Sequence, residues 1–133
     1  MINLQDVTKS LYRLIAPQLG LVLYNKRAKH STNQPYAVFN VTEAENHEYF
    51  SGTSDSDLMI DVSFYYTTER GAGYVRRSID ALIAKLHKTT PAIAGMIKAE
   101  IRMLPSGRGQ VEFVGNNIYQ QTVLFSLRGT SST

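Results

Sequence analysis

The residues that come nearest to a chemical motif lie just before the second helix-like run. Gly71 and Gly73 follow a strand-like run, as the first two glycines of a dinucleotide-binding loop do. The third position of that motif is Arg76 instead of glycine, and the preceding run alternates polar and apolar residues, which is typical of a strand buried on only one face. We therefore expect residues 68–73 to be a flexible connector, with no bound cofactor.

Three arginines cluster at the same place. Arg76 and Arg77 are expected in the first turn of the helix, with Arg70 just before it. Free backbone N–H groups and guanidinium groups could together bind a phosphate there. Cations in a first turn oppose the helix dipole, so a paired anion would offset a small local cost. We favour exposed arginines that pair with acidic side chains of the same chain or of a neighbouring subunit.

No other residues form a catalytic or metal-binding constellation. His30, His47 and His87 are isolated from one another, without metal-ligand spacing, and the chain has no cysteine. The sequence also lacks the G-x-S-x-G nucleophile elbow and the calcium-loop pattern. It therefore predicts no catalytic residue, no cofactor and no metal ion, and it favours a structural module over an enzyme.

Composition is that of an ordinary globular protein, with 43% hydrophobic and 19% charged residues in 133. This length predicts one domain over residues 1–133. The apolar runs are too short to span a membrane. Residues 1–66 carry five basic and seven acidic residues (net −2), and residues 67–133 carry nine and four (net +5). This asymmetry favours complementary self-assembly or a basic face for nucleic acid, unless the charges are simply scattered over a solvated surface.

The first half of the chain reads as one helix and three strands. Apolar residues recur at helical spacing over residues 4–15, with Asn3 as N-cap and with Pro17 and Gly20 as stops. Residues 21–24 form a short strand. After a loop over residues 30–35, strands are predicted over residues 36–42 and 58–67, separated by a polar segment that is either a long loop or a projecting hairpin tip. Tyr49 and Phe50 are an apolar pair within that polar segment, which predicts a protein contact.

The second half reads as one helix and two strands. The second helix is expected to end at Pro91, and a half-buried strand covers residues 97–103. Residues 105–109 predict a turn, after which Val111 to Val114 begin the last hairpin arm. Gly115, Asn116 and Asn117 allow a bulge or a tight turn before the closing strand, and residues 129–133 are expected to be a mobile polar tail. The predicted fold is α+β, in the order α-β-β-β-α-β-β: a mostly antiparallel sheet with two helices on one face.

Four features of this order carry a family resemblance. The first helix leads into a short strand ending near Tyr24, and residues 34–39 (QPYAVF) place a proline and an aromatic residue at the opening of the second strand. The strand at residues 57–65 precedes the helix Tyr74–His87, and a closing strand covers residues 118–127. Over nearly the whole chain, this order and length resembles the tail-terminator or tail-completion proteins of long-tailed bacteriophages, the family that includes the lambda tail terminator.

The resemblance implies a structural virion protein that forms a homohexameric ring on the phage tail tube. Such a ring ends tube polymerisation and offers a head-joining surface at the head-proximal end of the tail. The implied partners are the major tail-tube protein, the head-tail connector or neck proteins and DNA passing non-specifically through the lumen, with assembly in the host bacterial cytoplasm. The family supplies no catalytic motif. The candidate residues of the subunit interface, tube interface or lumen are Lys26, Arg27, Lys29, Tyr49, Phe50, Arg70, Arg76, Arg77 and Arg108.

Two alternatives remain open from the sequence. Head-closure and other neck proteins are also small, β-rich and oligomeric, so the protein could lie on the head side of the joint. A basic nucleic-acid-binding module would instead use the positively charged second half, and its affinity would fall steeply with salt.

Overall fold

The fold contains two helices and six strands within the part of the chain that this computed structural model describes, residues 3–25, 35–48, 52–67, 69–115 and 118–132. Three strands follow the first helix and three follow the second. In chain order the elements are α1 (Leu4–Leu19), β1 (Val22–Asn25), β2 (Tyr36–Glu48), β3 (Thr53–Tyr66), α2 (Glu69–Leu86), β4 (Lys98–Arg108), β5 (Glu112–Gly115) and β6 (Ile118–Ser132).

The strands form one sheet in the order β1-β2-β3-β6-β4, and β5 lies next to β4 along the same edge of β6. Only β1 and β2 are parallel, and every other described pair is antiparallel. Strand β6 is an interior strand, which pairs with β3 from Tyr119 to Ser132 on one side and with β4 and β5 on the other. The predicted α+β class, with its mostly antiparallel sheet, is confirmed.

Both helices pack on one face of the sheet, as predicted. Val7, Leu11 and Ile15 of α1 are fully buried, and their spacing of four residues places them on one stripe of the helix. Alternate residues of the central strands meet this stripe. The core side chains of the sheet include Phe39, Leu58, Ile60, Val62, Phe64, Val123, Phe125 and Leu127. Because the helices cover one face only, the other face of the sheet is open.

Helix α1 begins and ends with clear capping groups. The side-chain oxygen of Asn3 accepts hydrogen bonds from the N–H groups of Gln5, at 2.9 Å, and of Asp6, so the predicted N-cap is confirmed. Gly20 caps the other end in a left-handed conformation. The expectation that Pro17 stops the helix was wrong, because Pro17 lies inside the last turn. Its missing N–H removes only one bond there.

Helix α2 holds the C-terminal end of α1 in place. The hydroxyl of Ser78, which is buried, donates to the carbonyl oxygen of Leu19 at 2.5 Å, and the hydroxyl of Tyr74 donates to the carbonyl oxygen of Gly20 at 2.5 Å. Carbonyl groups at a helix end have no partner within the helix. These two hydrogen bonds therefore satisfy the end of α1 and fix the angle between the helices.

The predicted start of α2 was wrong, whereas the predicted end at His87 is within one residue of the observed end. The helix begins at Glu69, so the glycines expected in a connector lie inside it, and Arg76 is about two turns from its start. The N–H group of Arg76 is therefore used within the helix, which argues against the alternative of a phosphate site at a helix N-terminus. The helix ends at Leu86, before Pro91, where Lys88 adopts a left-handed conformation with φ of 62°.

The polar segment between β2 and β3 continues both strands as a hairpin, which is closer to the second of the two predicted alternatives. Its arms extend to Glu48 and back from Thr53, beyond the predicted strands. Residues 129–132, expected to form a mobile tail, are instead the end of β6 and pair with the returning arm. The hydroxyl groups of Ser54 and Ser131 are buried and lie 2.9 Å apart, so a hydrogen bond closes this polar end of the sheet.

Strand β4 contains a wide bulge where a turn was predicted. Met103 pairs with Phe125 and Arg108 pairs with Val123, so the four residues 104–107 face the single residue Leu124. The chain continues in its original direction after the bulge, and the prediction of a turn was wrong. The segment expected to begin the last hairpin arm is the short separate strand β5, and Gly115 pairs with Ile118 across a connection at residues 116–117, which lie outside the described residues.

Candidate assembly surfaces

The predicted interface residues fall into two groups. Arg70 lies in the first turn of α2, and the described side chains are those of Arg76, Arg77 and Arg108. The other predicted residues lie outside the described part of the chain. They are Lys26, Arg27, Lys29, Tyr49 and Phe50.

The side chains of Arg76 and Arg77 are exposed but differ in their neighbours. The guanidinium carbon of Arg77 lies 5.8 Å from the ring centroid of Tyr74, within the range of a cation–π contact. Arg76 lies close enough to Tyr66 to act on its pKa. Burial raises that pKa most, the neighbouring Tyr119 raises it further, and the charge of Arg76 lowers it in part. The two arginines therefore have different surroundings: Arg76 lies near Tyr66 of the sheet, and Arg77 lies over Tyr74 of its own helix.

Arg108 is paired within the chain. Its Nη1 atom lies 2.6 Å from Oδ1 of Asp80, which connects the end of the β4 bulge to α2. Both side chains are substantially exposed, so the pair adds little to stability. Its effect is to neutralise a charge that the sequence suggested for an interface.

The open face of the sheet is polar across its middle. The hydroxyl groups of Ser63 and Thr122 lie 2.9 Å apart on neighbouring strands. Asp61 of β3 is only partly exposed, and burial raises the pKa of its carboxyl group above the usual range. The charged form of a carboxyl group at this position is disfavoured by desolvation, which does not affect a fully hydrated surface residue.

One end of the open face carries a tyrosine cluster. The rings of Tyr36 and Tyr65 stack with centroids 5.0 Å apart, and Tyr24 meets Tyr36 edge-on at 6.0 Å. The side-chain amide of Gln120 donates to the hydroxyl of Tyr65 at 3.1 Å. Burial first, and then the neighbouring Tyr65 and Tyr24 hydroxyls, raise the pKa of Tyr36. Because Tyr36 and Tyr65 each cover one face of the other, the cluster is a packed unit rather than an open base-stacking platform.

The other end of the open face carries charges of both signs. Arg128 of β6 lies 2.9 Å from a carboxylate oxygen of Asp57, and Thr130 donates to Asp55 at 2.8 Å. On the neighbouring β4, Arg102 and Glu100 form a further ion pair. Since acidic and basic groups alternate, this end of the face is polar and hydrated without the single-sign potential that attracts nucleic acid.

An apolar surface lies at the edge of the sheet. We call this surface the β5 ribbon, and it consists of Val111, Phe113, Val114 and Tyr119. The exposed fractions are 49% for Val111, 60% for Phe113 and 48% for Val114. Phe113 meets Tyr119 edge-on at 5.5 Å, and Tyr119 stacks on Tyr66 at 5.6 Å. Exposed apolar residues on an edge strand are typical of a contact surface. The sequence alone does not reveal this surface, because apolar residues of a strand look the same in sequence whether they are buried or exposed.

A cavity of about 600 Å³ lies toward the opposite edge, which we call the α1–β2 groove. Phe39 and Val41 of β2 form its floor, and Tyr12 of α1 packs on Phe39 with ring centroids 6.0 Å apart. Lys9 and Arg13 of α1 lie on its exposed rim. The groove therefore combines an apolar floor with a basic rim.

The described residues contain no group of three or more histidine, aspartate or glutamate side chains that could hold a metal ion. Nδ1 of His87 accepts a hydrogen bond from the N–H of Met103 at 2.9 Å, so this histidine links α2 to β4. Neither α1 nor α2 is apolar over a stretch long enough to cross a membrane.

Comparison with known proteins gives matches of structure only. No family model matches the sequence, and no curated protein matches it. A chain from the virion of a native gene transfer agent particle has a TM-score of 0.70 and 13% identity, over 94% of this chain and 98% of that one. The sheath/tube terminator of an extracellular contractile injection system (PVC, extended state) has a TM-score of 0.52 and 13% identity, over 100% of this chain but only 57% of its own length. The resemblance to tail terminators is thus confirmed at the level of the fold.

Proposed function

We propose that this protein is a structural component of a phage-like tail, a terminator whose copies form a ring on the end of the tail tube. The ring, a hexamer according to the family resemblance, ends polymerisation of the tube and offers a surface to the head. The observation that carries this proposal is the β5 ribbon, an apolar sheet edge that no part of the described chain covers. A non-enzymatic assembly role accounts for such a surface.

Ring formation fits the distribution of surfaces on this fold. A ring needs two unlike patches on each copy, which meet head to tail and close after a fixed number of rotations. The β5 ribbon and the α1–β2 groove are two unlike surfaces of this kind, and they lie toward opposite edges of the sheet. The open face, with balanced charges, suits a lumen through which DNA passes without being held. The proposed partners are the tail-tube protein, neck proteins and further copies of this chain, in the head-proximal part of a virion tail.

Electron microscopy of a phage lysate in which this gene is interrupted tests the role. We expect overlong or ragged tails beside filled, unjoined heads, because nothing ends tube growth. Tails of normal length that fail to join heads would instead support a head-closure protein, the nearest alternative. Intact infectious particles would contradict any virion role.

Exposed Arg76 and Arg77 on α2 favour a second candidate, a nucleic-acid-binding module. Replacing both arginines with glutamate separates the two functions. Weaker DNA binding, together with a steep salt dependence in the unchanged protein, would support the second candidate. Loss of assembly with unchanged DNA affinity would reject it. Conversion of Lys85 on the same helix to glutamate provides a control for a single charge reversal elsewhere on α2.

A further inference from the structure

We propose that His87 is a proton-operated link between the end of α2 and strand β4. The neutral imidazole binds the backbone of β4 beside the bulge, and the protonated imidazole releases that backbone. This inference goes beyond the proposed function, because it concerns a conformational change within one copy of the chain. It does not depend on whether the copies form a ring.

The outer edge of β4 is bonded to the segment that follows α2. The N–H of Lys88 donates to the carbonyl oxygen of Ile101 at 2.8 Å, and the N–H of Ile101 donates to the carbonyl oxygen of Thr89 at 2.9 Å. Along an antiparallel strand, every second residue directs its backbone groups to the same edge, so the N–H of Met103 also points outward. Its acceptor is Nδ1 of His87, at 2.9 Å, instead of a carbonyl oxygen. A side chain therefore replaces a carbonyl group at this position of the edge.

The bond to Met103 requires the neutral form of the imidazole. A ring nitrogen accepts a hydrogen bond only when it carries no hydrogen, so the geometry assigns the proton of the neutral ring to Nε2. A second proton would turn Nδ1 into a donor that faces the N–H of Met103, and two donors cannot bond each other. Histidine gains this proton between about pH 5 and pH 8. The link is therefore present at the upper end of this range and is lost as pH falls.

The protonated ring has a favourable position close to its neutral one. His87 directly follows the last residue of α2, where carbonyl groups lack partners within the helix and where the helix dipole favours a positive charge. The side chain is only half-buried, so it can rotate away from β4. The two protonation states thus favour two positions of one side chain, which is the requirement for a two-state switch.

The charged groups of the neighbouring elements do not oppose this switch. They are Asp80, Lys85 and Lys88 on or just after α2, Lys98, Glu100, Arg102 and Arg108 on β4, Asp6, Lys9 and Arg13 on α1, and Asp55, Asp57 and Asp61 on β3. The three carboxyl groups of β3 lie on the open face, away from the helices, and Asp80 is paired with Arg108. Among the described residues, no acidic side chain forms an ion pair with His87. No carboxylate is therefore placed to keep the ring protonated.

Release of Met103 acts where β4 enters its bulge. Residues 104–107 follow directly and lead through Arg108 toward the β5 ribbon. The bonds of Ile101 join backbone groups only, so a proton on His87 does not remove them. Acid therefore loosens the part of the edge that leads to the ribbon, while the preceding part stays closed.

Hydrogen exchange of two neighbouring amides tests the link. From about pH 7.5 to pH 5.5, the protection factor of the Met103 amide should fall about tenfold relative to that of Ile101, since one hydrogen bond is lost. Both values are corrected for the intrinsic exchange rate at each pH. Ile101 is the internal control, because its acceptor is the backbone carbonyl of Thr89. A constant ratio of the two protection factors would overturn the inference.

Two substitutions at position 87 separate the acceptor from its titration. His87→Asn keeps an acceptor oxygen at the δ position that gains no proton in this range, so Met103 should stay protected at both pH values. His87→Leu removes the acceptor, so Met103 should be equally unprotected at both. The same fall in the asparagine variant as in the unchanged protein would overturn the inference, because another group would be titrating. Full protection in the leucine variant would also overturn it.

Nitrogen NMR of the unchanged protein provides a second measurement that needs no substitution. Near neutral pH, Nδ1 of His87 should give the signal of a ring nitrogen without hydrogen, and it should become protonated over the same pH range in which Met103 loses protection. A neutral ring with its hydrogen on Nδ1 would overturn the inference. Protonation of His87 without any change at Met103 would overturn it as well.

Discussion

Replacement of Gly107 with alanine tests the wide bulge in β4. A Cβ atom on Gly107 would lie 2.6 Å from the carbonyl oxygen of Leu124 and 2.7 Å from that of Leu104. Carbon and oxygen atoms normally pack at about 3.3–3.6 Å. Each carbonyl would have to retreat by roughly 0.6 Å or more. Both belong to the backbone of paired strands, so the added methyl group cannot be accommodated by a side-chain rotation.

The expected cost follows from this geometry. Overpacking by one carbon in a well-packed site typically costs about 1–3 kcal/mol, and two backbone contacts place Gly107→Ala near the upper end, at about 3 kcal/mol. The free energy of unfolding of a domain is about 5–15 kcal/mol, so the loss is large. For a chain of this length it corresponds to a fall in Tm of roughly 10 °C.

Chemical denaturation followed by circular dichroism measures the change in the free energy of unfolding. Gly73→Ala is the matched control, because it makes the same substitution inside α2, where an added Cβ meets nothing within 4 Å. Alanine favours a helix interior, so this control should gain about 0.5–1 kcal/mol. If the free energy of unfolding of the Gly107→Ala variant lies within about 0.5 kcal/mol of that of the unchanged protein, the described bulge is refuted.

Three further predictions concern the polar groups of the sheet. Ser54→Ala or Ser131→Ala alone should cost about 1–2 kcal/mol by leaving a buried hydroxyl unpaired, whereas the double variant should cost less than the sum, which a double-mutant cycle measures. The pKa of Asp61 is raised in the folded state, so its protonated form favours folding and stability should fall as pH rises from about 4 through that pKa. Asp61→Asn should flatten this fall in a pH series of denaturation midpoints, and an unchanged slope would contradict the assignment. Arg108→Ala should change stability by less than about 1 kcal/mol, because its ion pair with Asp80 is exposed, and a larger loss would show that the bulge depends on the pair.

Local periodicity was sufficient for the elements that bury a clear apolar stripe. Val7, Leu11 and Ile15 recur every four residues, and Ile60 and Val62 alternate with Asp61 and Ser63, so the helix and the strand were both predictable. The order of these elements was also sufficient to suggest the fold. These signals are local, because each pattern is contained within a single helix or strand.

The missed boundaries depend on pairing between distant segments. Residues 129–132 are small and polar, so they resemble a tail, yet they pair with the returning arm of the hairpin, from Thr53 to Ser56. Gly71 and Gly73 disfavour a helix, but the buried positions that follow hold α2 against the core. The residues of the β4 bulge include proline, serine and glycine, which are typical of turns. Only the pairing with β6 shows that the strand continues beyond them.

The candidate interface was the least predictable part. Charge alone suggested Arg108 as an interface residue, although Asp80 neutralises it within the chain. The exposure of Phe113 could not be foreseen, because a short run rich in apolar residues is also typical of a buried strand. Surface assignment requires the three-dimensional neighbours of each residue, and a single sequence does not contain them.

The position of β6 has a consequence for the order of events during synthesis. This strand follows every other element along the chain, yet it lies in the middle of the sheet. Until residues 118–132 have left the ribosome, β3 and β4 each lack the neighbour that joins them, and both present bare strand edges. Folding is therefore delayed until translation of β6, and prematurely terminated chains lack the frame that holds the β5 ribbon. If the chain forms the proposed ring, incomplete copies would not be incorporated into it, without any separate inspection step.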